Sequence, residues 1–330
     1  MKKSGIELNQ HLFWLAIFSC MVFSLPSIGL AQSYPSRPIK LIVGYPPGGS
    51  GDFVSRVTAE AMSRELGVTV IVENRPGAAG VIASDAVAKA PGDGYTLLNA
   101  GTPAVLKALY KKLPYNPETD FIPVSLAAVG AMIICVNNDL PVKNLAELAA
   151  YAKANPGKLN SAASGNGSAP HLASARFEIV TGGKFTTIQY KGGGPAAVAL
   201  MSGETQVMFA TAPTVLGFIK ANRMRAIAVT TALPSPSIPG VPGAKQAGLD
   251  GYDEDYSFGL YAPTGTPPEI VKRLHEAALK GLSRTEVREK IALQGMDSAP
   301  SKSPEAFREA LLSESKNVEQ RVRQTGARLE

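Results

Sequence analysis

Short apolar runs alternate with helical patterns along most of this chain. The apolar run at 39–43 predicts a strand, and Val54, Val57 and Ala61, spaced by three and four residues, predict the helix that follows it. Further predicted strands lie at 68–72, 95–98, 159–163, 185–190, 206–210 and 225–230, and predicted helices at 78–90, 144–154 and 168–181. Such alternation predicts parallel sheets with helices on both faces.

The pattern changes after Thr231. Four prolines between residues 234 and 242 predict a surface loop, and the acidic run at 250–255 is expected to be solvated. Three helices, predicted at 267–283, 285–294 and 303–325, close the chain.

The first residues have the pattern of a secretory signal. Lys2 and Lys3 precede an apolar stretch at 12–25, and Gly29-Leu30-Ala31 supplies the small residues of a cleavage site. We therefore expect residues 1–31 to be a signal peptide, cleaved after Ala31, and the mature protein to be periplasmic. A membrane anchor is the alternative, but the stretch is short for a span and Pro26 ends it.

The remaining length, roughly 300 residues, exceeds what one core usually supports and predicts two lobes. Cys135 is the only cysteine after the predicted signal, so it has no internal disulfide partner, and its apolar neighbours predict a buried side chain. The net charge of +6 is spread along the chain without basic runs. We therefore expect no nucleic-acid partner.

A glycine-rich segment, GYPPGGSGD, occupies residues 44–52 between the first strand and the first helix. Ligands bind at the carboxyl ends of strands in open α/β sheets, and a helix start exposes N–H groups. The segment matches neither the P-loop nor the dinucleotide motif, so we expect a smaller anion such as a carboxylate. A tight turn in which Asp52 or Ser50 caps the helix is an alternative reading. We call residues 44–52 the first glycine loop.

The same arrangement occurs a second time. SAASGNGS at 161–168, the second glycine loop, follows a strand, opens a helix and carries no cationic side chain. Two helix starts facing each other would suit a molecule with two acidic groups. Each would contribute on the order of 0.3 to 2 kcal/mol through the helix dipole, and each charge-assisted hydrogen bond about 1.5 to 3 kcal/mol.

Two further segments offer polar groups at strand ends. YKGGGP at 190–195, the third glycine loop, allows close backbone approach, and Tyr190 can present its hydroxyl to the cleft. Thr102 lies just beyond the third strand.

Catalytic and metal chemistry have little support in the residues. After the predicted signal the chain has two histidines: His275, expected on the surface, and His171, expected to cap, orient the second glycine loop or contact ligand. No Gly-x-Ser-x-Gly motif surrounds Ser50 or Ser164. We therefore expect no enzyme activity, no metal and no cofactor. A secreted hydrolase that acts on a small ester or amide through Ser50 or Ser164 is the alternative.

Several blocks of sequence carry a family resemblance. "SYPSRPIKLIVGYPPGGSGDFVSRVTAEAMSRELGVTVIVENRPGAAGVIASDAVAKAPGDGYTLL", "SGNGSAPHLA", "YKGGGPA", "MRAIAVTT", "IPGVPGAKQAGLDGY" and "GLYAPTGTPPEIVKRL" occur in this order. They resemble the Bug family, the substrate-binding proteins of tripartite tricarboxylate transporters.

The resemblance implies a fold and a function. The implied fold is an α/β, two-lobed periplasmic binding protein with two mixed or parallel sheets, flanked by helices, and a ligand cleft between the lobes. The first lobe would comprise 33–130 with 258–330, and the second 131–257. The protein would be a monomer that captures a carboxylate-bearing metabolite and delivers it to a membrane permease. A co-receptor for a sensor kinase is an alternative role for the same cleft.

The resemblance also implies ligand contacts at the first glycine loop and at positions across the cleft. The candidate ligand-binding residues are Tyr45, Gly48, Gly49, Ser50, Gly51, Asp52, Thr102, Ser164, Gly165, Asn166, Ser168, His171 and Tyr190. Three positions differ from the family pattern: Gly51 replaces a threonine, Ala210 replaces an aspartate, and Tyr256-Ser257-Phe258 replaces a tryptophan. The cleft is therefore not expected to be that of an amino-acid binder, and a dicarboxylate, a tricarboxylate and an aromatic acid all stay open.

Overall fold

The computed structural model describes residues 34–101 and 103–325. The predicted signal peptide and Thr102 lie outside these described residues. All elements from Arg37 onward belong to one compact unit.

The first three strands form a parallel set with β1 in the centre. The elements are β1 (Ile39–Val43), α1 (Ser50–Leu66), β2 (Val70–Asn74), α2 (Val81–Ala88), β3 (Thr96–Ala100) and α3 (Pro103–Leu109). β1 pairs with β2 on one side and with β3 on the other. The carboxyl ends of these strands therefore lie at one edge of the sheet, where the first glycine loop leaves β1.

Two long antiparallel strands join the two halves of the fold. β4 (Phe121–Val136) pairs with β9 (Asp255–Pro263) between Phe121 and Ala131. From Met132 onward β4 pairs instead with strands of the second half. β9 also pairs with β3, so β4 and β9 connect all strands into one ten-stranded sheet.

The second half repeats the alternation of strand and helix. Its elements are α4 (Leu145–Ala154), β5 (Leu159–Ala163), α5 (Ala169–Thr181), β6 (Phe185–Gln189), α6 (Gly193–Ser202), β7 (Val207–Thr211), α7 (Ala212–Lys220) and β8 (Arg225–Val229). β5 pairs in parallel with both β6 and β7, and β7 pairs with β4. The second and third glycine loops therefore leave neighbouring parallel strands at the same edge.

The C-terminal elements return to the first half. They are α8 (Pro268–Leu282), α9 (Thr285–Ala292), β10 (Asp297–Ser298), which pairs with β4, and α10 (Pro304–Thr325). Val271, Leu274 and Ala278 form the buried stripe of α8. Gly281 lets α8 approach α1 closely, because a β carbon there would lie 3.0 Å from Ala61.

The two-lobed α/β fold class expected from the sequence is confirmed. The two expected sheets are joined by β4 and β9 into one, and some local predictions were wrong. The strand predicted at 68–72 is Val70–Asn74, because α1 runs to Leu66 and ends at the left-handed Gly67. The helix predicted at 78–90 is shorter: Ala78–Gly80 form a 3-10 turn with Ala78 at φ 46° and Ala79 at φ 53° before α2 begins. Within the described residues, no helix has both the length and the apolarity to cross a membrane.

His275 is buried rather than on the surface. Its side chain lies within the buried stripe of α8 and is 5% exposed. Nδ1 lies 3.0 Å from the carbonyl oxygen of Val124 and Nε2 lies 3.3 Å from that of Lys302. The ring thus ties α8 to β4 and to the segment before α10, which a helical pattern alone does not reveal.

Candidate functional site

A cavity of about 800 Å³ lies among the loops that follow the strand ends. The first half contributes the first glycine loop, the turn at 76–80 and the end of β3. The second half contributes the second and third glycine loops, the face of α5 and the start of β9. The fold therefore brings the first glycine loop together with two loops that lie more than a hundred residues further along the chain.

Most of the candidate ligand-binding residues line this one cavity. Those that do are Tyr45, Gly49, Ser50, Gly51, Ser164, Gly165, Asn166, Ser168 and Tyr190. Three candidates do not line the cavity: Gly48, Asp52 and His171. Thr102 lies outside the described residues.

The start of α1 leaves its N–H groups uncapped by any side chain. Gly49 is the N-cap residue, with no side-chain hydrogen bond, and the first helical bond runs from the N–H of Phe53 to the carbonyl of Gly49. The N–H groups of Ser50 and Gly51 therefore have no helical acceptor, and both residues line the cavity. The alternative in which Ser50 or Asp52 is the N-cap residue is wrong.

Asp52 holds the first glycine loop in place. Its Oδ2 accepts hydrogen bonds from the N–H of Gly48 at 3.1 Å and from Nε of Arg56 at 3.0 Å. Its Oδ1 accepts from Nδ2 of Asn74 at 2.9 Å, and Asn74 also donates to the carbonyl of Tyr45 at 3.0 Å. Burial would raise the pKa of Asp52, but these hydrogen bonds outweigh it and hold the pKa below its ordinary value. The buried carboxylate thus ties the loop to the end of β2.

Tyr45 packs across the helix start. Its hydroxyl oxygen accepts a hydrogen bond from the N–H of Gly101 at 3.2 Å, which links the loop after β1 to the loop after β3. Its ring meets that of Phe258 edge-to-face, with centroids 5.5 Å apart, and Tyr256 meets Phe258 in the same way at 5.8 Å. All three rings line the cavity. We call Tyr45, Tyr256 and Phe258 the aromatic wall.

The second glycine loop is shaped by hydrogen bonds among its own residues. Ser164 donates to Oγ of Ser168 at 3.2 Å, and Ser168 is the N-cap of α5, where its Oγ accepts from the N–H of His171. The ring Nδ1 of His171 accepts from the N–H of Gly167 at 3.2 Å, so the imidazole is bound as the neutral Nε2–H tautomer. Burial lowers the pKa of His171, and Glu178 offsets this only in part. His171 therefore orients this loop, which is one of the roles that the sequence left open.

The third glycine loop reaches across the cavity. A β carbon on Gly192 would lie 3.6 Å from Cγ of Pro46 in the first glycine loop. The hydroxyl of Tyr190 donates to Oε1 of Glu204 at 2.7 Å instead of entering the cavity. Burial, and to a smaller extent the Glu204 carboxylate, raises the pKa of Tyr190 to about 12. Tyr190 therefore lines the cavity with its hydroxyl engaged by Glu204.

The sequence analysis placed a helix from residue 78 onward, whereas residues 76–80 form a turn that lines the cavity. The left-handed residues Ala78 and Ala79 bend this turn, and Gly80 approaches the first glycine loop so closely that a β carbon on Gly44 would lie 2.8 Å from its Cα. The predicted helix over these residues hid the turn. Pro76 and Gly77, at the start of this turn, were the available signal in the sequence.

A charged pair on the cavity wall was also missed. Nε of Arg176 lies 3.8 Å from Oε1 of Glu254, whose side chain is only 17% exposed. The expectation that the whole acidic run at 250–255 is solvated was therefore wrong at Glu254. Ala169, Leu172 and Arg176 line the cavity at helical spacings of three and four. That spacing, counted from the end of the second glycine loop, was the signal that could have placed Arg176 in the cavity wall.

The described residues offer little for metal or redox chemistry. They contain no group of three His, Cys, Asp or Glu side chains placed to hold a metal ion. Cys135 is fully buried, and burial raises its pKa well above the ordinary value, which keeps the thiol protonated. What the cavity does offer is backbone N–H groups beside aromatic and apolar side chains.

Known proteins resemble this chain over most of its length. The model of the TctC family, described as the tripartite tricarboxylate transporter family receptor, matches residues 54–324. Protein BugT of Bordetella pertussis is 36% identical over 302 residues, which is 91% of this chain and 92% of that protein.

Solved structures also resemble this chain over most of its length. Rpa4515 of R. palustris, with adipate, superposes with a TM-score of 0.84 at 31% identity and covers 89% of this chain and 98% of its own. MatC (Rpa3494) from Rhodopseudomonas palustris, with bound malate, gives 0.79 at 30% identity, with coverage of 88% and 100%.

Proposed function

Because this chain belongs to the tripartite tricarboxylate transporter family of receptors, we propose that its cavity captures a small carboxylate-bearing metabolite for delivery to the permease subunits of such a transporter. The family resemblance stated from the sequence is confirmed. The carboxylate class is supported by the adipate and malate held in two similar structures.

The observation that carries the proposal is the uncapped start of α1. Ser50 and Gly51 line the cavity and their N–H groups have no acceptor within the helix. A carboxylate placed there would accept charge-assisted hydrogen bonds of about 1.5 to 3 kcal/mol each, and the helix dipole would add on the order of 0.3 to 2 kcal/mol. These terms act against the loss of the carboxylate's hydration, and donors from a second loop are needed to complete the compensation.

The second glycine loop supplies donors from the opposite side. The N–H groups of Gly167 and His171 are occupied within the loop, whereas Gly165 and Asn166 line the cavity, and their N–H groups take part in none of the hydrogen bonds among the described residues. We assign these two groups, with the side chain of Asn166, to the ligand. Closure of one half onto the other would then bring both sets of donors to the same molecule.

We propose two lobes that meet at the long strands. The first comprises 33–130 with 258–330 and the second 131–257. The change of partner along β4, from β9 up to Ala131 to β7 from Met132, supports this boundary. Small-angle scattering with and without ligand tests it, because hinge closure would reduce the radius of gyration.

We place the mature receptor in the periplasm as a monomer, after cleavage behind Ala31. The leader pattern at 1–31 and the receptor family support this location. The intact mass and the N-terminal sequence of the protein from a periplasmic extract test the cleavage site, and light scattering tests the monomer. Co-purification with a sensor kinase instead of a permease would assign the receptor to signalling.

We propose that the protein catalyses no reaction on its ligand. The hydrogen bonds of Ser164 and His171 support this view, because Ser164 donates to Ser168 and Nδ1 of His171 accepts the N–H of Gly167, so both groups serve the loop. Incubation of purified protein with generic esters tests it, and sustained turnover would favour the hydrolase alternative.

A thermal-shift screen against mono-, di-, tri- and aromatic carboxylates tests the receptor function itself. A ligand at 100 times its dissociation constant should raise the unfolding free energy by about 2.7 kcal/mol. Matched alcohols without the carboxylate should give no shift. Failure of every acid, or an equal response to acid and alcohol, would contradict the proposal.

A further inference from the structure

The cavity is much larger than a short diacid needs. Its volume of about 800 Å³ would hold roughly 25 waters at about 30 Å³ each. A four-carbon diacid at the start of α1 would leave most of this space to water. The remainder of the cavity therefore carries information about the rest of the ligand.

One side of the cavity is the aromatic wall. Tyr45 and Tyr256 both meet Phe258 edge-to-face, at 5.5 and 5.8 Å between centroids. Tyr256 and Phe258 are 6% and 5% exposed, so their positions are fixed by packing. A ligand ring can extend this series of edge-to-face contacts, whereas an aliphatic diacid cannot.

Another side is formed by apolar side chains from three helices and by Tyr110, which follows α3. Val105, Leu106, Tyr110, Leu172 and Val322 line the cavity, and we call them the apolar wall. Leu172 and Tyr110 pack against the buried pair Leu109 and Val322. Leu172 and Tyr110 are themselves only half-buried. Burial also raises the pKa of Tyr110, as expected of a phenol in apolar surroundings. Partly exposed apolar surface that faces a cavity favours an apolar ligand body.

The charges on the cavity wall do not suit a second carboxylate. Among the described residues that line it, the cations are Arg176 and Lys191 and the acids are Glu254, Asp255 and Glu314. Arg176 already faces Glu254 at 3.8 Å, and Lys191 is exposed. A carboxylate placed at Arg176 would have to displace Glu254 from it, and like charges at close range are costly.

From these walls we infer that the ligand is a monocarboxylic acid with an aromatic body, its carboxylate at the start of α1 and its ring between the aromatic and apolar walls. This inference rests on the proposed receptor function and names the ligand class of the same site.

Calorimetry with four probes tests the inference. The probes are 3-phenylpropionate, its alcohol 3-phenyl-1-propanol, the aliphatic hexanoate and the diacid adipate. We expect 3-phenylpropionate to bind at least about 10-fold more tightly than adipate and more tightly than hexanoate. The alcohol should not bind measurably.

The outcomes distinguish a failure of the inferred ligand class from a failure of the proposed receptor function. Equal or tighter binding of adipate overturns the inference and leaves the receptor function standing. Binding of the alcohol as tightly as the acid, or binding of no acid, contradicts the receptor function at this site instead.

Leu172→Ala tests the contact between ligand ring and apolar wall. We expect 3-phenylpropionate to lose about 10-fold in affinity through the lost apolar burial, and adipate to change by less than about 2-fold. Ile179→Ala is the matched control, because Ile179 lies on the same helix with its side chain on the exposed face. A loss of equal size for both acids in Leu172→Ala would overturn the assignment of the ring.

The double variant Arg176→Gln with Glu254→Gln tests the charge argument without leaving a buried charge unpaired. If Arg176 received a second carboxylate, adipate would lose more than about 10-fold in affinity and 3-phenylpropionate would not. We instead expect the affinity for adipate to stay the same or increase, because the double variant removes the negative charge of Glu254 together with the positive charge of Arg176.

Discussion

The ring of Tyr45 lies directly against the α carbon of Gly51, where a β carbon would sit 2.8 Å from Cγ of the ring. This contact explains why position 51 has no side chain, and it sets the position of the aromatic wall. The hydroxyl oxygen of the same tyrosine accepts the N–H of Gly101 at 3.2 Å. One residue thus couples the start of α1, the end of β3 and the lining of the cavity.

Gly51→Ala should weaken ligand binding by about 10-fold while the protein remains folded. The new methyl group would push the Tyr45 ring outward and break its hydrogen bond with Gly101. Titration of the ligand against the variant measures the loss. Gly217→Ala is the control, because Gly217 is an exposed helical glycine with no atom within 4 Å of its added carbon. Unchanged affinity in Gly51→Ala would show that the ring position does not matter.

Gly49→Val should abolish the ligand-induced thermal shift and preserve the fold. Gly49 has extended backbone angles, φ −89° and ψ 174°, and the nearest atom to an added β carbon is 3.8 Å away. The cost to stability should therefore be about 1 kcal/mol, from the poorer N-cap residue. The branched side chain would cover the N–H groups of Ser50 and Gly51. A normal thermal shift in this variant would place the ligand elsewhere.

Asp52→Asn should lower the unfolding free energy at pH 7 by about 1 to 3 kcal/mol, because the buried hydrogen bonds to Arg56 and Gly48 lose a charged acceptor. The pKa of Asp52 is depressed in the folded protein, so its contribution is present above about pH 3.9 and is lost as pH falls through the folded value.

Chemical denaturation at pH 7 and at pH 3 measures both effects of Asp52→Asn. The difference between wild type and variant should shrink at the lower pH. Asp250→Asn is the control, since that side chain is 82% exposed and its change should stay within about 0.5 kcal/mol. A difference that does not depend on pH would exclude an ionised Asp52 as the cause.

His171 should make the stability of the protein fall as pH decreases below about 6.5. Burial lowers its folded pKa, so the unfolded chain takes up the proton first and the folded state loses stability between 6.5 and the lowered value. The protonated ring can no longer accept the N–H of Gly167. His171→Phe should remove this part of the pH dependence between pH 7.5 and 5. A variant with the wild-type pH profile would contradict the role of the imidazole.

His275→Ala should lower the unfolding free energy by about 3 kcal/mol. It removes a buried ring and leaves the carbonyls of Val124 and Lys302 without this partner. Thermal unfolding measures the loss. The neighbouring Glu276→Ala, on the exposed side of the same helix, should change stability by less than about 0.5 kcal/mol.

Much of the fold follows from local signals in the sequence. The strands at 39–43 and 159–163 and the three C-terminal helices were predicted within one or two residues, because apolar period and glycine stops are local properties. The turn at 76–80 was not, because alanine favours helix; in the structure Gly80 packs against Gly44 and its N–H donates to the carbonyl of Gly77, while Ala78 and Ala79 are left-handed.

The sequence by itself determined the donors of the candidate site, since glycine-rich loops at strand ends present backbone N–H groups wherever such loops begin helices. Only the tertiary structure decided what faces those donors: Asp52 and His171 point behind the loops, while Arg176, Phe258 and Leu172 enter the cavity. The physical reason is that backbone donors depend on residues next to one another in the chain. The surroundings of a cavity depend instead on which distant side chains the long strands β4 and β9 bring to the same edge of the sheet.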